Sequence, residues 1–332
     1  MTRSRVVVTQ RIHAEVHALL SARADVIANP TIEPWPPSEL LDHAKGASAL
    51  MVFMPDSVDD AFLAACPRLK IIAAALKGAD NFDVPACTAR GVWFTIVPDL
   101  LSEPTAELAL ALMLSLARNV LPGDRHVRSG DFHGWRPTLY GTGVRGSTIG
   151  IIGFGNVGQA LARMLSGFQC NIIYYDSRSG DLGPGRTSLD RVLSASDFLI
   201  PLVPLTLQTF HLFRSETLAQ MKRGAYLINV CRGSVVDEEA VADALESGLL
   251  AGYAADTFEM EDWARPDRLP TVSARLLNMP DRTLFTPHLG SAVASARLEI
   301  ERAAANNILQ ALRGERPAGA INDPVPATFK SS

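Results

Sequence analysis

The chain has 332 residues, 47% hydrophobic and 20% charged, with 31 Lys and Arg against 35 Asp and Glu and a formal net charge of -4. That length exceeds the ~250 to 300 residues at which a single core stops growing, so two domains are expected, and the slightly acidic balance leaves no global basic field for a nucleic-acid backbone. Four scattered cysteines, Cys66, Cys87, Cys170 and Cys231, form no C-x-x-C pair, which argues against a disulfide framework or a cysteine-rich zinc site and points to a reducing cytoplasm.

The N-terminal stretch carries Arg3 and Arg5 but passes through Val6, Val7 and Val8 directly into polar residues, too short for the apolar region of a signal peptide. Beyond it, short apolar runs alternate with helical patterns, the punctuation of parallel sheets with crossover helices in an α/β fold. Strands are expected over 6–9, 50–54, 69–76 and 93–97. His13 and His17 stand i, i+4 on an expected helix, but without a third ligand or an H-E-x-x-H pattern they read as a solvated face rather than a metal site. A long amphipathic helix is expected to start near Pro104, where proline suits a first turn, and to run through Glu107 to Arg128. Its most apolar part, 108–117, is about half a membrane span and reads as a core helix, so no membrane partner is expected.

After a loop over 129–143 rich in Gly, Trp and Tyr, a second sheet is expected from strands at 148–152, 171–175, 198–203, 225–230, 252–255 and 283–286. A helix over 292–312 and a Pro- and Gly-containing tail from Gly314 close the chain.

The segment Gly153-Phe154-Gly155-Asn156-Val157-Gly158 satisfies G-x-G-x-x-G between an apolar strand and a helix-compatible run. The first glycine permits the tight turn and the second lets the backbone approach a pyrophosphate. The third lets helix and strand pack closely, and the helix N-terminus offers N–H groups to the phosphates. About 20 residues on, the second strand ends at Asp176, where an acid accepts hydrogen bonds from the adenosine ribose and repels a 2′-phosphate. NAD is therefore the expected cofactor; Arg178, whose guanidinium could meet a phosphate, leaves weak NADP use open.

Three further strand ends carry chemistry. The run to Val230 leads into Cys231 and Arg232, the run to Asp256 leads through Thr257-Phe258-Glu259-Met260 to Glu261, and the run to Pro287 presents His288. An arginine can hold an oxyanion bidentately, a histidine can carry a proton near neutral pH, and a carboxylate can orient the imidazole. Cys231 and Asp256 are counted with Gly153, Gly155, Asn156, Val157, Gly158 and Asp176 as cofactor-binding positions. Arg232 could lower the Cys231 pKa, but a buried strand-end cysteine is the better reading.

At this point Pro104-Thr105-Ala106-Glu107-Leu108-Ala109-Leu110, the Gly153 to Gly158 loop, Asn229-Val230-Cys231-Arg232-Gly233, the segment Asp256 to Glu261 and Thr286-Pro287-His288-Leu289-Gly290 together resemble the D-isomer-specific 2-hydroxyacid dehydrogenase family. The resemblance implies two doubly wound parallel-sheet domains: a Rossmann cofactor domain over 101–288, and a flavodoxin-like substrate domain built from 1–100 and 289–332. It also implies a homodimer, substrate binding by Arg232, proton handling by His288 and partnership of Glu261 with His288. Within the family, Phe53-Met54-Pro55-Asp56, the segment Leu76 to Asp83, Gly134-Trp135, Tyr140 to Gly143 and Phe258 to Arg265 look more like the phosphite (phosphonate) dehydrogenases, with Asp262-Trp263 where a proline is usual. That implies oxidation of phosphite to phosphate, with Lys77, Gly78 and Met54 joining Arg232 in binding the anion. Lys77 would give a second cation to a partly dianionic substrate. The alternative is a 2-hydroxyacid enzyme of the glyoxylate or hydroxypyruvate reductase type, and a more distant one an NAD-sensing corepressor-like protein. Trp135 and Tyr140 are given no catalytic step.

Overall fold

The computed structural model describes residues 3–97, 99–178, 180 and 183–324, so the last part of the expected tail lies outside the described residues. It falls into two compact units, one comprising Met1–Leu101, Trp263–Pro266 and Val293–Ser332, the other Ser102–Asp262 and Asp267–Ala292.

The first unit is built on β1 (Arg5–Val8), β2 (Asp25–Ala28), β3 (Ala49–Val52), β4 (Ile71–Ala74) and β5 (Trp93–Thr95), all parallel in the order β2-β1-β3-β4-β5. This is the flavodoxin-like winding. β3 and β4 are buried along their whole length, as a sheet covered on both faces requires. One face packs on helix Ala294–Leu312 through Ile300, Ala304 and Ile308. The edge strand β2 was not expected: four residues, one exposed and three half-buried, with no alternation, carry no strand signal of their own. His13 precedes helix Ala14–Ser21 rather than lying within it, and its Nδ1 is 2.8 Å from Glu301. His17 pairs with the Ser21 hydroxyl.

The loop after β3 is organised by Asp56, which is buried and accepts from the Phe53 N–H at 2.7 Å and from the Thr9 hydroxyl. Burial pushes its carboxyl up from 3.8 to about 6, against the pull of those two donors. An acid whose folded pKa lies above its unfolded value binds more protons when folded, so its contribution falls as pH rises from 3.8 through about 6. Asp56→Asn keeps an acceptor and removes the charge. The stability of the variant relative to the parent should therefore grow by about 2 to 3 kcal/mol between pH 4 and 7. Urea titrations of both proteins across that range check this, and a difference independent of pH would refute it.

The second unit carries β6 (Thr148–Ile152), β7 (Asn171–Tyr175), β8 (Phe198–Pro201), β9 (Ala225–Asn229), β10 (Leu250–Ala255) and β11 (Thr283–Phe285), parallel in the order β11-β10-β9-β8-β6-β7. This is a Rossmann-type sheet, and the winding direction reverses between β8 and β6. The expected long helix is two: Ser102–Ala117 is a core helix through Ala106, Ala109, Leu112 and Met113, and Val120–Arg128 follows it. The break falls at Asn119, in the left-handed region at φ 53°, which asparagine tolerates better than most residues. Its side-chain amide donates to the carbonyls of Leu139 and Tyr140, and the Thr142 N–H donates to the Ala117 carbonyl, so the returning loop replaces the helical bonds lost there. Among the described residues no single helix is long and apolar enough to cross a membrane.

Candidate active site

In parallel sheets every strand delivers its carboxyl end to the same edge, so the residues just past β6, β7, β9, β10 and β11 line one rim of the second unit. Gly153 directly follows β6; its φ of 94° suits glycine, and a Cβ there would lie 2.5 Å from the Leu202 carbonyl oxygen. A Cβ at Gly158 would lie 2.6 Å from the Gly153 carbonyl oxygen, whereas one at Gly155 would meet nothing within 4 Å. The two outer glycines are thus demanded by packing, and the middle one faces open space. Helix Asn156–Leu165 starts there with no side-chain cap on its Gly155 end, so its first-turn amides are directed at that space. These residues fit a dinucleotide: Gly155 and the helix start would meet the pyrophosphate. The Val157 side chain packs against the core.

Asp176 follows β7 and is largely buried. Its Oδ2 accepts from the Phe154 N–H at 2.7 Å, which ties the end of β7 to the glycine loop. Arg178 grips the same carboxylate twice, Nε to Oδ1 at 2.9 Å and Nη2 to Oδ2 at 2.8 Å, and its N–H donates to Oδ1 at 2.9 Å. Those bonds from Arg178 hold the Asp176 carboxyl well below the usual range despite its burial.

Past β9, the buried Asn229 builds an Asx turn: its Oδ1 accepts from the Cys231 N–H at 3.1 Å and its Nδ2 donates to the Arg232 carbonyl at 3.0 Å. The Arg232 Nη1 donates to the Cys231 carbonyl at 2.8 Å. Burial pushes the Cys231 thiol up to about 11 and outweighs the neighbouring guanidinium. Gly233 opens the turn Gly233–Val235, and a Cβ there would overlap the Phe258 backbone carbonyl. Glycine therefore lets the Arg232 turn lie directly on the turn Glu259–Glu261 that follows β10. The Ser234 hydroxyl adds a bond to the Asp262 carboxylate.

Glu261 accepts from the Phe258 N–H through Oε1 at 2.8 Å and meets the His288 Nδ1 through Oε2 at 2.5 Å. A carboxylate accepts, so Nδ1 carries the proton and Nε2 is the nitrogen presented to a ligand. Both side chains are about one-quarter exposed, 25% for His288 and 23% for Glu261. His288 sits at φ 56°, an unfavourable backbone for a non-glycine residue. Asp256 enforces it. Fully buried at the end of β10, it accepts from the Thr286 hydroxyl at 2.6 Å, the Leu289 N–H at 2.7 Å and the Gly290 N–H at 2.8 Å, while its carbonyl accepts from the His288 N–H at 2.9 Å. Burial raises its pKa against those donors. Asp256, expected to bind cofactor, thus spends its carboxylate on the shape of the loop that presents His288.

Met54, Lys77 and Gly78 stand past β3 and β4 at the carboxyl edge of the first unit, with Lys77 exposed and the other two half-buried. Trp135 and Tyr140 are exposed, 76% and 75%. Sequence reasoning gave no role of their own to Asn229, His211 or Glu259, and marked Asp262 only as standing where a proline is usual. Only Asn229 had a local signal, an Asx residue two before Cys231 at the end of a strand; the others act across long sequence separations.

The sequence profile described as D-isomer specific 2-hydroxyacid dehydrogenase, NAD binding domain, matches residues 110–290. A glyoxylate reductase of Thermofilum pendens is 37% identical over 335 residues, covering 98% of this chain and 96% of that protein. Among solved structures, the TT0316 protein of Thermus thermophilus superimposes with a TM-score of 0.88 at 34% identity over 96% of this chain and 99% of its own. An NADPH-dependent glyoxylate/hydroxypyruvate reductase of Sinorhizobium meliloti, solved with NADP and malonate, gives 0.83 at 29% identity over 96% and 97%. This chain is an oxidoreductase with an NAD-binding domain and belongs to the D-isomer specific 2-hydroxyacid dehydrogenase family.

Proposed function

We propose that the protein reduces a small 2-oxo acid of the glyoxylate class to its 2-hydroxy acid. The observation that carries this is the His288–Glu261 pair, set beside the Arg232 turn on the rim that also bears the dinucleotide loop. The choice of substrate is supported by relatives named glyoxylate reductase. A nicotinamide coenzyme held at the glycine loop would supply the hydride that the carbonyl carbon receives. Arg232 pairs with the substrate carboxylate, bidentately, and fixes the carbonyl against His288. The His288 Nε2–H gives its proton to the carbonyl oxygen as the C–H bond forms, and Glu261 stabilises the imidazolium beforehand. Solvent then reprotonates the partly exposed ring. In this reading Gly153, Gly155, Asn156, Gly158 and Asp176 serve the cofactor.

Lys77, with Gly78 and Met54, favours a second reading in which phosphite is oxidised to phosphate and His288 deprotonates the attacking water. One assay separates the two: NADH consumption with glyoxylate and hydroxypyruvate beside NADH formation with phosphite. Turnover of the oxo acids with phosphite inert is the expected result; phosphite turnover alone would establish the second reading.

NAD is the preferred coenzyme in this proposal because the Asp176 carboxylate, at the end of β7, would repel a 2′-phosphate, and NADP use stays weak while Arg178 is held by that carboxylate. Asp176→Ala removes the repulsion and releases the guanidinium, so the preference for NADH over NADPH should fall by about tenfold or more. Paired kcat/KM values for the two coenzymes check it; an unchanged ratio would show that Asp176 does not set it. The homodimer implied by the family resemblance belongs to the same reading. Exposed Val120, Val127, Phe132, Trp135 and Tyr140 supply apolar surface for it, and light scattering would give twice the monomer mass.

A further inference from the structure

His211 lies outside every motif of the site, yet it touches both turns that carry the chemistry. It follows β8, at φ 46° in the left-handed region, where its ring stacks on Phe210 at 4.0 Å. Its backbone N–H donates to the Ser234 carbonyl at 2.7 Å, two residues past Arg232. Its Nε2 meets the Glu259 Oε2 at 2.9 Å, two residues before Glu261. We infer that His211 is a positioning residue that sets the Arg232 turn and the Glu261 turn in register, holding the Glu261 carboxylate on His288; this rests on the reduction proposed above.

The surroundings make the contact demanding. Glu259 is buried, and its Oε1 accepts from the Glu238 N–H at 3.1 Å while its own N–H donates to the Glu238 Oε1 at 3.0 Å. Glu238 is almost completely buried at the start of helix Glu238–Glu246, and its other oxygen accepts from the Ser273 N–H at 2.8 Å. Burial raises the Glu238 pKa, and the neighbouring Glu259 and Glu239 charges add to that. Among the described residues, Glu259 and, at 3.9 Å from its Nδ1, Asp237 face the His211 ring, with Glu238 behind Glu259. With Oε1 of the buried Glu259 taken by the Glu238 N–H, its Oε2 needs a donor of its own, and the His211 Nε2 stands at hydrogen-bond distance to supply it. Without it the Glu259 side chain has reason to turn outward, carrying with it the three-residue turn that ends at Glu261. A displacement of about 1 Å at a reacting group is enough to cost two orders of magnitude in rate.

His211→Leu removes the donor and His211→Gln restores one at the same reach. In the full-length protein, His211→Leu should lower kcat for glyoxylate about tenfold with NADH affinity unchanged, and His211→Gln should recover most of it. Proton NMR with histidine-selective nitrogen labelling gives a readout that does not need turnover. The Nδ1 proton of His288, in its 2.5 Å bond to Glu261, is expected far downfield in the wild type; it should move upfield or vanish in His211→Leu and persist in His211→Gln. Retained turnover with an unmoved resonance in His211→Leu, or a glutamine variant as impaired as the leucine one, would overturn the inference. If His211→Leu does not fold, Glu259→Gln tests the same link with the same expected direction. A wild type inert toward 2-oxo acids, whose resonance still responds to His211→Leu, would sink the functional reading and leave the positioning role standing.

Discussion

His288→Asn should lower kcat for the reduction of glyoxylate by about 10³- to 10⁴-fold while the affinity for NADH, read by fluorescence titration, stays within a factor of two or so. The size follows from what the side chain is asked to do. General acid catalysis by a well-placed group is worth about 10² to 10⁴, and the geometry puts His288 toward the upper end: its Nδ1 is fixed by Glu261 at 2.5 Å and its backbone is locked at φ 56° by the Asp256 carboxylate. Asparagine tolerates the left-handed backbone, so the loop survives and the loss reports the imidazole alone. The NADH affinity is spared because the glycine loop past β6 and Asp176 past β7 stand at other strand ends. Glu261→Gln should cost less, about 10-fold, since an amide oxygen can still orient Nδ1 but no longer stabilises the imidazolium. A His288→Asn enzyme within tenfold of wild type would remove His288 as the acid.

The strands were legible where an apolar run is buried on both faces, as for Ala49–Val52 and Phe198–Pro201, because a parallel strand needs no alternation. Asp25–Ala28 was not, since an edge strand with partial burial looks like the loop around it. The helix break at Asn119 was hidden for a different reason. The apolar periodicity continues through it, and only the returning segment 139–142 shows where the missing backbone bonds go. In the candidate site, Arg232, Glu261 and His288 stood out as candidates because each lies past a strand end on the same edge of the sheet. The contact of His211 with Glu259 did not, as 48 residues separate them and neither belongs to a local pattern. Asp256 shows a related limit: an acid at the end of a strand looks the same whether it faces a ligand or, as its carboxylate does here, donors of its own loop. The substrate was the least legible feature. Lys77 and the Asp262-Trp263 pair suggested a phosphorus oxyanion, whereas relatives named glyoxylate reductase favour a carboxylate; both anions ask for the same arginine.

Arg232→Ala should reduce kcat/KM for glyoxylate by about 10³-fold, mostly through KM, and Arg232→Lys should recover little of it. A bidentate guanidinium–carboxylate pair in a partly desolvated site is worth several kcal/mol, and each 1.4 kcal/mol is about tenfold. The lysine result follows from shape: a point ammonium cannot supply two parallel N–H donors, so it keeps the charge and loses the alignment of the carbonyl with His288. The local structure makes the test clean. The Arg232 backbone is held by the Asn229 side chain and the absence of a Cβ at Gly233, neither of which involves the guanidinium, so truncation should not disturb the turn. Its Nη1 bond to the Cys231 carbonyl is lost, but that acceptor belongs to a residue already anchored by Asn229 through its N–H. Steady-state kinetics with glyoxylate, repeated with a 2-oxo acid amide that lacks the carboxylate, gives the decisive comparison. If Arg232 reads the carboxylate, the amide is a poor substrate for the wild type and the substitution barely affects it further. An equal loss on both substrates would mean that Arg232 acts on the carbonyl or on the fold of the rim.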